Sequence, residues 1–246
     1  MARIDHNRDV SSNSGVGAIA AIANMRESRY LRGFLLACLL FAGLSLAVPD
    51  LDKMQNLAMS RYGQQASNTV GEWRAAIDQA QGMPDEQKSV LINDFFNTRI
   101  RFMDDPQAWG EKDYWATPLE VMGNRKGDCE DFAIAKYATH LLAGVDIDKL
   151  RITYVKAKIG GPYSKVHAAH MVLAYYPTPG ADPKILDNLV MQIQPASLRP
   201  DLTPVFGFNS NGLWVGGAAA PATKDPGAKL SRWRDLLARA AAEGLG

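Results

Sequence analysis

The chain has 246 residues, enough for one large domain or two small ones. Apolar residues make up 47% and charged residues 22%, the ordinary balance of a globular protein. With 27 basic and 26 acidic residues the net charge is +1, which argues against a nucleic-acid partner held mainly through phosphate contacts.

Residues 1–24 are polar and rich in Ser, Asn and Gly, and read as a disordered lead or as sequence upstream of a true start at Met25. Residues 25–47 read as a signal peptide. Arg26, Arg29 and Arg32 precede an apolar run from Gly33 that ends in the small-x-small exit Ser45-Leu46-Ala47. The run is short of the roughly 20 residues that a spanning helix needs, so export is expected in preference to a membrane anchor, with a mature N-terminus near Val48. Cys38 lies inside that run, and too few apolar residues precede it for a lipoprotein cysteine. The mature chain then carries a single cysteine, Cys129, with no partner for an internal disulfide. A lone thiol in an oxidising compartment is either a working nucleophile or a buried structural residue.

Leu51–Arg61 and Val70–Ala80 have apolar spacings that suit helices. Gln87–Phe102 places Val90, Leu91, Phe95, Phe96 and Ile100 three to five apart or adjacent, and the spacing predicts a helix that Asp104-Asp105-Pro106 breaks. Thr117-Pro118-Leu119-Glu120 has an N-cap, a proline at the first helical position and Glu at the third, so a short helix starts there and stops near Gly123. After a second break at Lys126-Gly127-Asp128, a helix is expected from Cys129 to about Ala143, closed by Gly144. Strands follow at Leu150–Ala157, His170–Tyr176 and Ile185–Ile193, the last with a turn at Asp187-Asn188, and the loop Ile159–Val166 joins the first two. Helix followed by hairpin-connected strands predicts an α+β fold with an antiparallel sheet across residues 48–215. In residues 216–246, Gly216–Ala228 reads as a flexible linker. Leu230, Trp233, Leu236, Leu237 and Ala240 then form one face of a terminal helix, which either packs back on the domain or docks a partner.

Gly127-Asp128-Cys129-Glu130-Asp131 is the most informative segment. Gly127 permits a sharp turn, and the positive end of the helix favours a thiolate at Cys129. Its first-turn N–H groups can face an oxyanion. A thiolate nucleophile needs a base, and the base needs an orienting group. Of the four histidines, His6 lies in the lead and His140 is about three turns along the helix from Cys129, out of reach. His167 is placed in a loop, whereas His170 opens a strand that can aim its ring. Asp187, at the end of Lys184-Ile-Leu-Asp, comes beside His170 if strand, turn and strand form a hairpin. Asp128, Glu130 and Asp131 offer three hard oxygen ligands within four residues, a set that suits Ca²⁺, or else complement the helix dipole. Three are too few for calcium, and Asp104, Asp105 and Asp113 are open as further ligands. Without a cation these acids should raise the Cys129 pKa by like-charge repulsion.

Tyr114-Trp115-Ala116-Thr117-Pro118-Leu119-Glu120, Gly127-Asp128-Cys129-Glu130-Asp131, His170-Met-Val-Leu-Ala-Tyr-Tyr176 and Leu186-Asp187-Asn188 resemble the bacterial transglutaminase-like cysteine proteinases over roughly residues 50–215. The resemblance implies a papain/transglutaminase-like fold, with the nucleophile helix packed on an antiparallel sheet. It implies a Cys-His-Asp triad, carried here by Cys129, His170 and Asp187. It further implies a calcium-dependent periplasmic protease of biofilm control, which cuts a large surface adhesin near its N-terminus at a site with paired alanines. An inner-membrane receptor that senses cyclic di-GMP would sequester it. Two other functions stay open: a peptidoglycan-directed or acyl-transferring enzyme that uses the same thioester, and a calcium-loaded binding module with a vestigial triad. The chain departs from secreted papains in having acids after its cysteine and no second cysteine for a disulfide.

Overall fold

The computed structural model describes residues 48–161 and 164–246. The expected lead at 1–24 and the expected signal peptide at 25–47, with Cys38, lie outside the described residues.

The N-terminal part is helical. Helix α1 (Leu51–Tyr62) is capped by the Asp50 carboxylate, which accepts the Lys53 N–H at 2.8 Å. Gly63, at φ 87°, separates it from α2 (Gln64–Ala80). Helix α3 (Asp85–Arg99) ends three residues earlier than the apolar spacing suggests. Arg101–Phe102 instead form β1, which pairs in parallel with β2 (Lys126–Gly127). The main chain there finds partners in β2 that a further helical turn would have denied it. Between them lie the short α4 (Asp105–Ala108) and α5 (Pro118–Asn124). The expected capping box of α5 is formed: the Thr117 hydroxyl accepts the Glu120 N–H, and the Glu120 carboxylate accepts the Thr117 N–H. Helix α6 (Cys129–Leu142) follows, and Gly144 leaves it at φ 78°.

Strands β3 (Leu150–Lys158), β4 (His167–Tyr175), β5 (Lys184–Leu186), β6 (Gln194–Pro195), β7 (Leu202–Asn209) and β8 (Gly212–Val215) form one antiparallel sheet in the order β6-β5-β4-β3-β7-β8. The sequence reading is corrected at two strands. His167 lies at the start of β4 and not in a loop, because the β3–β4 hairpin stays paired out to Lys158 and His167. The third strand stops at Leu186, because the Asp187 carbonyl is taken by side chains of α3 and α6 and is lost to the ladder.

Helix α6 joins the helical layer to the sheet. Phe132 and Ala135 pack into the helical core with Trp73, Phe96 and Leu119. Ala133, Ile134 and Tyr137 pack on the sheet with Leu150, Ile152, Met171 and Leu173. The terminal helix α7 (Ser231–Ala240) packs back on the domain. Trp233 meets Phe208 and Tyr137 edge-on, and Arg239 bonds Glu120 and the Tyr114 hydroxyl. The segment before it is tied to β8 through Leu213 and Thr223. Among the described residues no helix is long and apolar enough to cross a membrane.

Trp233→Ala should therefore destabilise the domain by about 3–5 kcal/mol, whereas Leu237→Ala, on the open face of α7, should stay within about 0.5 kcal/mol. Urea unfolding of the two variants checks this, and equal effects would contradict the packing of α7.

Candidate active site

The β2–α6 junction sets the position of Cys129. Gly127 is needed here for space rather than for an unusual φ: a Cβ on it would lie 2.7 Å from Asp131 Oδ2. Asp131 is fully buried, and its carboxylate accepts the Ala116 N–H at 2.8 Å, the Trp109 indole N–H at 2.9 Å and the Asp128 N–H at 3.3 Å. This one side chain thus fixes the turn before α6 and ties it to the loop that leads into α5. Cys129, half-buried at the first position of α6, receives the Met171 N–H on its sulfur, which seats it against β4 at the residue after His170 in sequence. Its S–H is donated to Glu130 Oε2 at 3.0 Å rather than to His170. Burial first, then the Glu130 and Asp128 carboxylates, push the thiol pKa far up.

His170 and Asp187 are brought together. His170 Nε2 lies 2.8 Å from Asp187 Oδ1, with both side chains buried, and Nδ1 is left for other work. Asp187 Oδ1 also accepts the Leu189 N–H at 2.9 Å, and Oδ2 accepts Arg199 Nη2 at 2.9 Å. Its main-chain carbonyl accepts Asn97 Nδ2 at 2.8 Å and Lys136 Nζ at 3.1 Å. Burial alone would raise the Asp187 pKa, but His170, the Leu189 N–H and Arg199 outweigh it and hold the carboxyl down to about 2. Lys136, wholly buried, is pushed down to about 7 by desolvation, partly offset by Asp187. His167 is exposed, with its ring on the Lys165 carbonyl. His140 is buried away from the site, bonded to the Lys136 carbonyl and Ser89. The sequence reading missed Arg199, Asn97 and Lys136. Only Lys136 carries a visible signal, a cation four residues after Phe132 on the buried side of α6.

The acids beside Cys129 form a cluster that reaches into the α4 loop. Carboxylate oxygens of Asp105, Asp113 and Glu130 lie within 4.8 Å of one another, as do those of Asp105, Asp128 and Asp131. Of the further ligands left open, Asp105 and Asp113 join the cluster and the exposed cap Asp104 does not. Asp105 Oδ1 and Asp128 Oδ1 are buried with no hydrogen-bond partner. Burial and then neighbouring carboxylates push Asp128 up to about 10, and burial pushes Asp105 to about 6 and Asp131 to about 8. Two orphaned buried oxygens among mutually repelling carboxylates fit a hard divalent cation. Asp131 is the least available of them, since its oxygens already accept three N–H groups.

The low Asp187 pKa has a definite sign. An acid held below its ordinary 3.8 contributes stability above that pH and loses it as pH falls through about 2. Asp187→Asn should cost roughly 2 kcal/mol at neutral pH, and the deficit should shrink below about pH 4. Denaturant titrations across that range measure it, and a deficit that does not change with pH would contradict the assignment.

A family model described as bacterial transglutaminase-like cysteine proteinase matches residues 55–199. No curated protein matches the chain. Among solved structures, LapG of Legionella pneumophila is 38% identical, with a TM-score of 0.66, covering 79% of this chain and 99% of that one. An EGTA-treated form of the same protein is 37% identical with a TM-score of 0.68, over 79% and 99% of the two chains. A calcium-bound form is 38% identical with a TM-score of 0.66, over 77% and 98%. The chain is a member of the bacterial transglutaminase-like cysteine proteinase family, and its mixed helical and antiparallel fold is that of LapG.

Proposed function

We propose that this cysteine protease is a calcium-dependent periplasmic endopeptidase that cuts a large cell-surface adhesin near its N-terminus and so controls biofilm attachment. An inner-membrane cyclic di-GMP receptor holds it back when attachment is favoured. The observation that carries the catalytic part is the buried His170–Asp187 pair, with His170 on the strand whose Met171 N–H reaches Cys129, the one cysteine among the described residues, at a helix start. The likeness to LapG supports the adhesin and receptor parts.

Cys129, His170 and Asp187 act as nucleophile, base and orienting acid. The Nε2–H of His170 is committed to Asp187, so Nδ1 is the atom that accepts the thiol proton. The sulfur attacks the scissile carbonyl, the amine leaves with the proton from Nδ1, and water then hydrolyses the thioester. Before that, the Cys129 S–H must turn from Glu130 to His170. Asp105, Asp113, Asp128 and Glu130 would hold calcium, with Asp131 bracing the turn behind them. When bound, the ion neutralises the acids that hold the thiol protonated. With its charge so offset, Glu130 would compete less for the Cys129 S–H, leaving it to His170.

Cleavage of an N-terminal fragment of the co-encoded adhesin tests this. Cys129→Ala should abolish it, and His170→Ala should lower it by about 10²–10⁴, whereas His167→Ala keeps most of it. Reversed effects of the two histidine variants would overturn the choice of base. EGTA should suppress both cleavage and iodoacetamide labelling of Cys129, and Asp105→Ala and Asp128→Ala should mimic it in excess calcium. Full-rate cleavage in EGTA would leave the acids as helix caps. Slow labelling even with calcium would favour a non-catalytic binding module. Export is checked by the N-terminus of the periplasmic protein, expected near Val48. Secreted protein that still carries residues 1–24 would contradict it.

A further inference from the structure

Strand β4 is paired with β3 along its whole length. On its other side, β5 covers only Leu173–Tyr175. From His167 to Met171 that second edge has no strand beside it among the described residues. The open stretch begins at the thiol, because the Met171 N–H points at the Cys129 sulfur. In an antiparallel ladder the main-chain groups of every second residue point to the same side. With Met171 turned toward Cys129, the N–H and C=O of Ala169 face that same open side, about 7 Å further along.

Nothing on this edge blunts it. Ala168 and Ala169 are exposed, their side chains are too small to screen the main chain, and no proline interrupts the run. A row of unpaired N–H and C=O groups is a template for another strand. On the sheet face, a groove of about 500 Å³ runs from His167 and Ala169 across Tyr154 and Lys156 of β3 to Thr203 and Val205 of β7, on the paired side of β4.

We propose that the open edge of β4 at His167–Ala169 docks the substrate polypeptide, which adds as a further strand and is led along the edge to the Cys129 sulfur. The occupant is an extended segment of polypeptide, recognised first through its main chain. This rests on the reading of Cys129 as the nucleophile. It explains why a site with a buried base keeps an exposed, unprotected strand next to it.

Two changes each remove a main-chain hydrogen bond of the added ladder, one donated by the enzyme and one donated by the peptide. Ala169→Pro deletes the free N–H, and proline is tolerated where the N–H faces away from the ladder. It should lower kcat/KM about tenfold on a synthetic peptide that carries the adhesin's paired-alanine segment, with iodoacetamide labelling of Cys129 unchanged. Should that variant fail to fold, peptides N-methylated at successive positions give the answer with the natural enzyme. Methylation should raise KM about tenfold at every second residue and leave the residues between unaffected. With Cys129→Ala protein and the unmodified peptide, exchange of the Ala169 amide should slow. Full activity of the folded Ala169→Pro variant, no alternation in the peptide series, or unchanged Ala169 exchange would each overturn the proposal. Persistent cleavage by Cys129→Ala would instead overturn the nucleophile reading.

Discussion

A carboxylate taken out of water has to be hydrogen-bonded or neutralised, and Asp187 is the place where this protein meets that demand most fully. Its two side-chain oxygens accept from His170, Leu189 and Arg199, and its carbonyl accepts from Asn97 and Lys136. The donors come from α3, α6, β4, the turn after β5 and the segment before β7. Asp187 therefore locks the helical layer to the sheet at the point where the sheet's third strand ends. The termination of β5, the orientation of His170 and the burial of Lys136 follow from satisfying that one residue.

The opposite side of the site is built on the contrary principle. Asp105, Asp128 and Glu130 are brought close without enough donors, and two of their oxygens are buried and unpartnered. Asp131 shows what the satisfied alternative is: one carboxylate with three N–H donors, which fills the space that Gly127 leaves by having no Cβ. So the fold rigidly orients His170, and it leaves the surroundings of the thiol under electrostatic tension.

What could be read from the sequence was whatever depends on near neighbours. The Thr117–Glu120 capping box and the start of α6 at Cys129 are local signals, and both formed. His170 and Asp187 meet because a strand and a turn separate them, which is a short-range inference as well. The extent of β4 and β5 was less legible, because a strand ends where its partner does and not where its own composition changes. Arg199 and Asn97 were not legible, and Lys136 only as a cation on the buried side of α6: each reaches Asp187 through the tertiary fold, and the contact from Asn97 spans 90 residues. Gly127 was noticed for the wrong property, since its role is the room it leaves for Asp131. Asp105 and Asp113 could be nominated as partners of Glu130, but only the path of the loop around α4 selected them over Asp104.

The hydrogen bond from the Cys129 thiol to Glu130 has a consequence for the lifetime of the molecule. Peroxide and disulfides attack or are attacked through the thiolate, so a thiol kept protonated is also kept from oxidation. In the oxidising space that the proposed export implies, the carboxylates that hold the thiol protonated would thereby shield Cys129, which has no resolving cysteine among the described residues. Loss to sulfinic acid is then confined to the time the site spends armed, and the enzyme ages in proportion to its use rather than to its residence.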